Sequence, residues 1–161
     1  MLIYTVGHST RTQEELIELL RAYGVALLCD IRAIPYSRYN PQHNRETLLD
    51  LLPAHGIAYT HREELGGRRP PREVMERARS CSERSRGFAE YMKTPPFIKG
   101  LDRVLEQAEH RLTALMCGEI DPTHCHRFLV ADALVARGHD VRHIISLDEC
   151  RDHPVTLFSM M

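Results

Sequence analysis

The sequence predicts a single α/β domain, a three-layer Rossmann-like sandwich on a mostly parallel five-stranded sheet. Three observations predict it. Short β-branched apolar runs alternate along the chain with helical periodicities. Several of those runs are apolar at nearly every position, as strands buried on both faces are. Chemistry-bearing residues crowd the carboxyl ends of the runs and are sparse at their amino ends. Such alternation implies crossover connections and helices on both faces of a sheet.

The elements follow in order. Leu2-Ile3-Tyr4-Thr5-Val6 is short, β-branched and stopped by Gly7, the profile of a buried strand. Thr12-Gln13-Glu14-Glu15 has the form of a capping box, and Leu16, Leu19, Leu20 and Tyr23 follow at helical spacing. Gly24 stands where a C-terminal glycine would end that helix. Residues 25–31 make the second strand, and a Pro-, Tyr- and Asn-rich loop runs from Arg32 to Gln42. Leu48, Leu49, Leu51 and Leu52 give a second helix ending near His55-Gly56, before a weaker third strand over 57–60.

From Arg62 to Arg86 the apolar periodicity lapses, with two adjacent prolines and many arginines. Regular structure resumes at Phe88 and, after Pro95-Pro96, in a helix marked by Leu101, Val104, Leu105 and Ala108. Residues 112–117 are the fourth strand. Asp121-Pro122 is a good helix start, with Asp as N-cap and Pro at the first position. Phe128, Ala131, Leu134 and Val135 line that helix, Gly138 closes it, and residues 141–145 are the fifth strand. Residues 155–158 are a candidate edge strand. The expected order is 3-2-1-4-5, because it sets the first strand's end beside both the second's and the fourth's.

Composition sets the outer bounds. At 161 residues, 43% apolar and 27% charged, the chain can build a core without disulfides or a structural metal. A net charge of −1 excludes a strongly basic or acidic protein overall. The amino-terminal apolar run is too short for a signal-peptide core, and none reaches the roughly 18 residues of a membrane span. The five cysteines are odd in number and dispersed, so they read as reduced thiols and the expected location is cytoplasmic, away from membranes. The single domain spans 1–161, with a basic insertion or lid-like segment around 62–100. Between His61 and Gly100, ten Lys/Arg face six Glu, a net of +4.

In open α/β sheets, ligands bind beyond the carboxyl ends of the strands. Gly7-His8-Ser9 follows the first strand, Asp30-Ile31-Arg32 with Arg38 the second, and Cys117-Gly118-Glu119 through Cys125-His126-Arg127 the fourth. These residue types fit anion chemistry. Arg32, Arg38 and Arg127 can hold a phosphate or carboxylate, with Ser9, Asp30 and Arg68 as further substrate contacts. Cys117 or Cys125 is the candidate nucleophile, His8 or His126 the acid/base, and Glu119 an orienter or second acid. The blander readings stand beside these. Cys117 fits equally as an apolar filler, Asp30 and Arg32 as an ion pair closing the sheet, and Asp121 as a cap. His43, His61, His124 and His153 read as solvated or incidental. Cys117, Cys125 and His126 are weak metal ligands, since Cys-x7-Cys-His is not a standard zinc spacing. No P-loop or GxGxxG fingerprint follows the first strand, so ordinary nucleotide triphosphate or dinucleotide binding is unsupported, and the cofactor is unknown from the sequence.

Tyr4-Thr5-Val6-Gly7-His8-Ser9-Thr10, Asp30-Ile31-Arg32 with Pro35 and Ser37-Arg38, Leu65-Gly66-Gly67, Gly87-Phe88 with Tyr91-Met92, Cys117-Gly118-Glu119 and Cys125-His126-Arg127 occur in that order. Together they resemble the bacterial and archaeal family called domain of unknown function 488, over about Leu2 to Ile145. The resemblance implies signature positions at His8, Ser9, Asp30, Arg32, Arg38, Cys117, Glu119, Cys125, His126 and Arg127, without roles. Gly118 stands where that family would have Ala, and the stretch between Arg69 and Gly87 is shortened and lacks a tryptophan. The expected function is an enzyme acting on a small anionic or nucleotide-like molecule. The alternatives are a nucleic-acid or ligand-binding module using the basic segment, and a metal-binding protein. Oligomeric state is not legible.

Overall fold

A computed structural model of the chain describes residues 1–66, 87–124 and 126–154. The elements are β1 (Leu2–Gly7), α1 (Gln13–Ala22), β2 (Leu27–Asp30), α2 (Arg45–Ala54), β3 (Ala58–His61), α3 (Pro95–Ala108), β4 (Thr113–Cys117), α4 (Arg127–Ala136), β5 (Asp140–Ile144) and β6 (Cys150–Asp152). Residues 87–91 add a short helical stretch. Short 3-10 turns cover Pro41–His43, Glu63–Leu65 and Pro122–His124.

The fold is α/β, with a mostly parallel six-stranded sheet and helices on both faces. Five strands run parallel, and β6 pairs antiparallel to β5. Strand alternation divides the core. Tyr4, Val6, Leu28, Ala114 and Met116 face α1 and α2, meeting Leu16, Leu19, Leu20, Leu48 and Leu52. Ile3, Cys29, Leu115, Cys117 and Val141 point the other way, onto Phe97, Leu101 and Val104 of α3 and Val130, Ala131 and Leu134 of α4. Buried on both sides, β4 is inaccessible at all five positions.

The strand order is β3-β2-β4-β1-β5-β6, which corrects the expected 3-2-1-4-5. β4 enters between β2 and β1 instead of lying outside β1. Both β1 and β4 are apolar on both faces, so side-chain pattern does not distinguish their places. The crowding argument is met by either arrangement, because β4 now touches both other strand ends itself. The sixth strand, β6, forms at Cys150–Asp152, where the sequence predicts none. It is a short charged edge, with Arg151 and Asp152 exposed, as an edge that resists further pairing should be. The expected edge strand over 155–158 lies outside the described residues.

Two helix starts show how far local signals reach. The Thr12 box forms as expected: its hydroxyl accepts from Glu15 N at 3.1 Å and Glu15 accepts from Thr12 N at 2.9 Å. The Asp121-Pro122 signal opens a 3-10 turn instead. Asp121 Oδ1 caps Thr123 N at 3.0 Å, while α4 begins only at Arg127. Among the described residues no helix is long and apolar enough to cross a membrane.

Candidate functional site

β1 and β4 lie side by side, and their chains leave for opposite faces, α1 covering one and α4 the other. A crevice at a switch of this kind is where α/β folds place ligands. The ladder continues past the strands: His8 N donates to Cys117 O at 3.0 Å and Ser9 N to Gly118 O at 2.9 Å. Gly7 is required by this crossing, because a Cβ there would lie 1.8 Å from Glu119 O. The next turn holds Ser9 at φ 43°, in the left-handed region that side chains rarely occupy. Gly118 is different: a Cβ would sit 3.7 Å from His8 Nε2, ordinary contact, so Ala would fit there.

β2 contributes a buried ion pair. Arg32 Nε donates to Asp30 Oδ1 at 2.9 Å and Nη2 to Oδ2 at 2.6 Å, while Arg32 N reaches the same carboxylate at 3.0 Å. The alternation of an extended strand brings residues two apart to one side, which makes this fork possible. Burial works against the Arg32 charge, but Asp30 overcomes it and the guanidinium is held above its ordinary range. Tyr59 donates to Asp30 Oδ2 at 2.5 Å, and its phenol is pushed upward by burial and then by that carboxylate. Arg32 Nη2 also donates to His43 O at 2.7 Å. The arginine fork is thus filled by protein groups.

The remaining Arg32 arm orients a histidine. Arg32 Nη1 lies 3.2 Å from His8 Nε2, so that nitrogen is an acceptor and Nδ1 carries the proton donated to Ser9 O at 2.9 Å. Burial, with Arg32 and His43 adding to it against the Ser9 hydrogen bond, lowers His8 to about 4. His8 is therefore neutral near pH 7. The His43 ring stands 4.8 Å from it, buried, with Nε2 on Arg11 O at 2.6 Å. His61 Nε2 donates to Arg32 O at 2.7 Å.

On the other side of β4, Arg127 is fully buried and lies against the thiol. Its Nη1 donates to Cys117 Sγ at 3.1 Å and to Glu119 O at 2.7 Å, and Nη2 to Ile120 O at 2.9 Å. His126 Nε2 reaches Ile31 O at 3.1 Å, tying the start of α4 to β2, and burial lowers this imidazole to about 4. The Glu119 carboxylate is exposed at the rim, so its packing role falls to its backbone carbonyl. Arg38 is exposed on the loop after β2.

The structure thus forms two groups at the strand ends, His8, Asp30 and Arg32 on one side of β4 and Cys117 and Arg127 on the other. They are joined through the His8 N to Cys117 O bond and by His126 on Ile31 O, with Ser9 in the adjoining turn and Glu119 exposed at the edge. Cys125, Arg68 and the His124 side chain lie outside the described residues, as does most of the basic segment. Tyr59 and His43 were missed by sequence reasoning. Tyr59 carried no signal beyond being polar in a weak strand. His43, His61 and His153, read as solvated or incidental, are all engaged, and His43 and His153 are buried. No group of three His, Cys, Asp or Glu side chains among the described residues could hold a metal ion.

Comparison with known proteins adds one match. A family model described as "Domain of unknown function DUF488" covers residues 12–134, more than half the chain. It begins after the His8-Ser9 turn and ends before β5. No curated protein and no solved structure matches.

Proposed function

The chain belongs to the DUF488 family, and since that description names no reaction, we propose one from the site: an enzyme acting on a small anionic or nucleotide-like substrate through the Cys117 thiol. The observation that carries this reading is the 3.1 Å contact from the Arg127 guanidinium to Cys117 Sγ. A cationic N–H donor aimed at sulfur favours the thiolate, the form that attacks electrophiles. The described partners of that guanidinium are this sulfur and two loop carbonyls, so its charge is spent on the thiol and its loop.

The roles then divide. Cys117 is the nucleophile, with Cys125 its rival. His126, neutral near pH 7, is the proton acceptor, His8 takes that role only on giving up its Arg32 hydrogen bond, and Glu119 at the rim is the second acid. Arg38, exposed on the loop after β2, is the anion contact, with Ser9 presented by its strained turn, while Arg127 serves the thiol. Asp30 and Arg32 act by fixing His8. A guanidinium directed at sulfur competes with any cation there, which weighs against Cys117 as a metal ligand. The nucleic-acid alternative rests on the basic segment, most of which lies outside the described residues, and no described contact favours it.

Cys117 is only 1% exposed, so the reading requires segment 118–121 to lift for the sulfur to react. Alkylation by iodoacetamide, located by mass spectrometry, tests this directly. Cys117 should be modified in the folded protein at about pH 6.5 faster than Cys150, a partly exposed thiol that burial pushes up. Millimolar inorganic phosphate or a nucleoside monophosphate should slow it. Cys29, which burial pushes up to about 12, is the inert internal control. Cys117 remaining unmodified until the protein unfolds would remove the thiol mechanism.

A further inference from the structure

A second polar cluster lies away from Cys117, under α4. Thr5, His143, His153 and Asp132 are all buried and form one unbroken chain of hydrogen bonds. Thr5 Oγ1 and His143 Nδ1 are 2.5 Å apart, His143 Nε2 and His153 Nδ1 2.8 Å, and His153 Nε2 and Asp132 Oδ1 2.7 Å. The four residues come from β1, β5, the segment after β6, and α4. Phe128 of α4 closes the cluster, its ring 6.2 Å from His143 at 12° and 4.5 Å from His153 at 60°.

The chain has a direction. A carboxylate only accepts, so His153 Nε2 carries a proton and its Nδ1 is left as an acceptor. His143 must then donate from Nε2, and its own Nδ1 accepts the Thr5 hydroxyl proton. Each imidazole nitrogen along the line is used once. An added proton on His143 Nδ1 would take the position of the Thr5 proton, and its charge would lie buried in the field of Arg127. The closed line therefore resists a proton at His143.

We infer that the Thr5–His143–His153–Asp132 line is an acid-opened clasp that holds β6 and the segment after it onto α4. The surrounding charges agree with this. From α4, Arg127 repels a proton from His143 while Asp132 anchors the far end. From β6, Arg151 stands opposite His143 in the ladder and is engaged by Glu149. The Arg142–Asp152 pair, at 3.0 Å, is exposed and does not satisfy the line. Burial, then His153, then Arg127 lower His143 to about 3. Unfolded imidazoles protonate at about 6.5, so acid favours the open form below that value and the clasp is fully made above it.

Hydrogen exchange read by mass spectrometry tests the clasp without any substitution. The His153 amide, bonded to Val141 O at 2.9 Å, reports the clasp, and the β4 amides report the global fold. With exchange rates corrected for pH, lowering pH from about 7.5 to about 5.5 should reduce protection near 150–154 by about tenfold more than in β4. Parallel loss in both segments, or none in either, overturns the inference. In Asp132→Asn the same selective loss should already be present at neutral pH. Unchanged protection near 150–154 in that variant would equally overturn it.

Discussion

At the scale of single residues, the two glycines flanking Cys117 make opposite demands on one crossing. Gly7→Ala forces a Cβ into the Glu119 backbone, which has no flexible end to move aside. Urea denaturation should show a loss of about 3 kcal/mol, the upper range for overpacking. Gly118→Ala meets His8 only at ordinary contact distance and should alter stability by less than about 0.5 kcal/mol. Equal effects at the two positions would contradict the crossing. The sequence shows both residues as glycines after strands and nothing more. Asp30 and Arg32 were legible because alternation puts them on one side, and the ion-pair alternative describes their contacts. The buried histidines were not legible. A lone His in a loop has no periodicity, and its burial is decided by segments far away in sequence, as with His43 beneath Arg11 and His153 beneath α4.

At the scale of elements, local chemistry was read where local chemistry decides. The Thr12 capping box, the α1 leucines and Gly24 at φ 71° all stand where the sequence set them. Thr12→Ala should cost about 1 kcal/mol, because the Glu15 amide at the helix end loses its hydroxyl partner while the residue 12 amide keeps the Glu15 carboxylate. A denaturation midpoint unchanged by Thr12→Ala would show that tertiary packing alone holds α1. Strand order was not local, and so it was not legible. β1 and β4 present largely apolar faces to both helix layers, and their sequence in the sheet is fixed by the β1–β4 and β2–β4 ladders, continued by Ile31 N on Met116 O and His8 N on Cys117 O. The late start of α4 has the same origin. Arg127 is drawn into the core by the sulfur and two carbonyls, and a helix running from Asp121 could not wrap the loop carbonyls around its guanidinium.

At the scale of the whole molecule, the fold keeps several neutral imidazoles inside. Burial lowers His8 and His126 to about 4 and His143 to about 3, and it lowers His43 as well. A depressed folded value means that the unfolded chain takes up protons first. Stability is therefore greatest above about 6.5 and declines as pH falls toward the folded values. At about pH 5 a histidine held near 4 costs on the order of 2 kcal/mol. His8 and His43 share the field of Arg32, so their costs do not add fully. Even so, such losses take a large part of the roughly 5–15 kcal/mol that holds a domain together. Urea midpoints should fall markedly between about pH 7.5 and about pH 5, and most of the fall should come below about 6.5, where unfolded imidazoles charge. His143→Leu removes one of these groups together with two links of the buried line. It should lower the midpoint at neutral pH and flatten the slope below it. An acid slope as steep as wild type would show that His143 is protonated in the folded state.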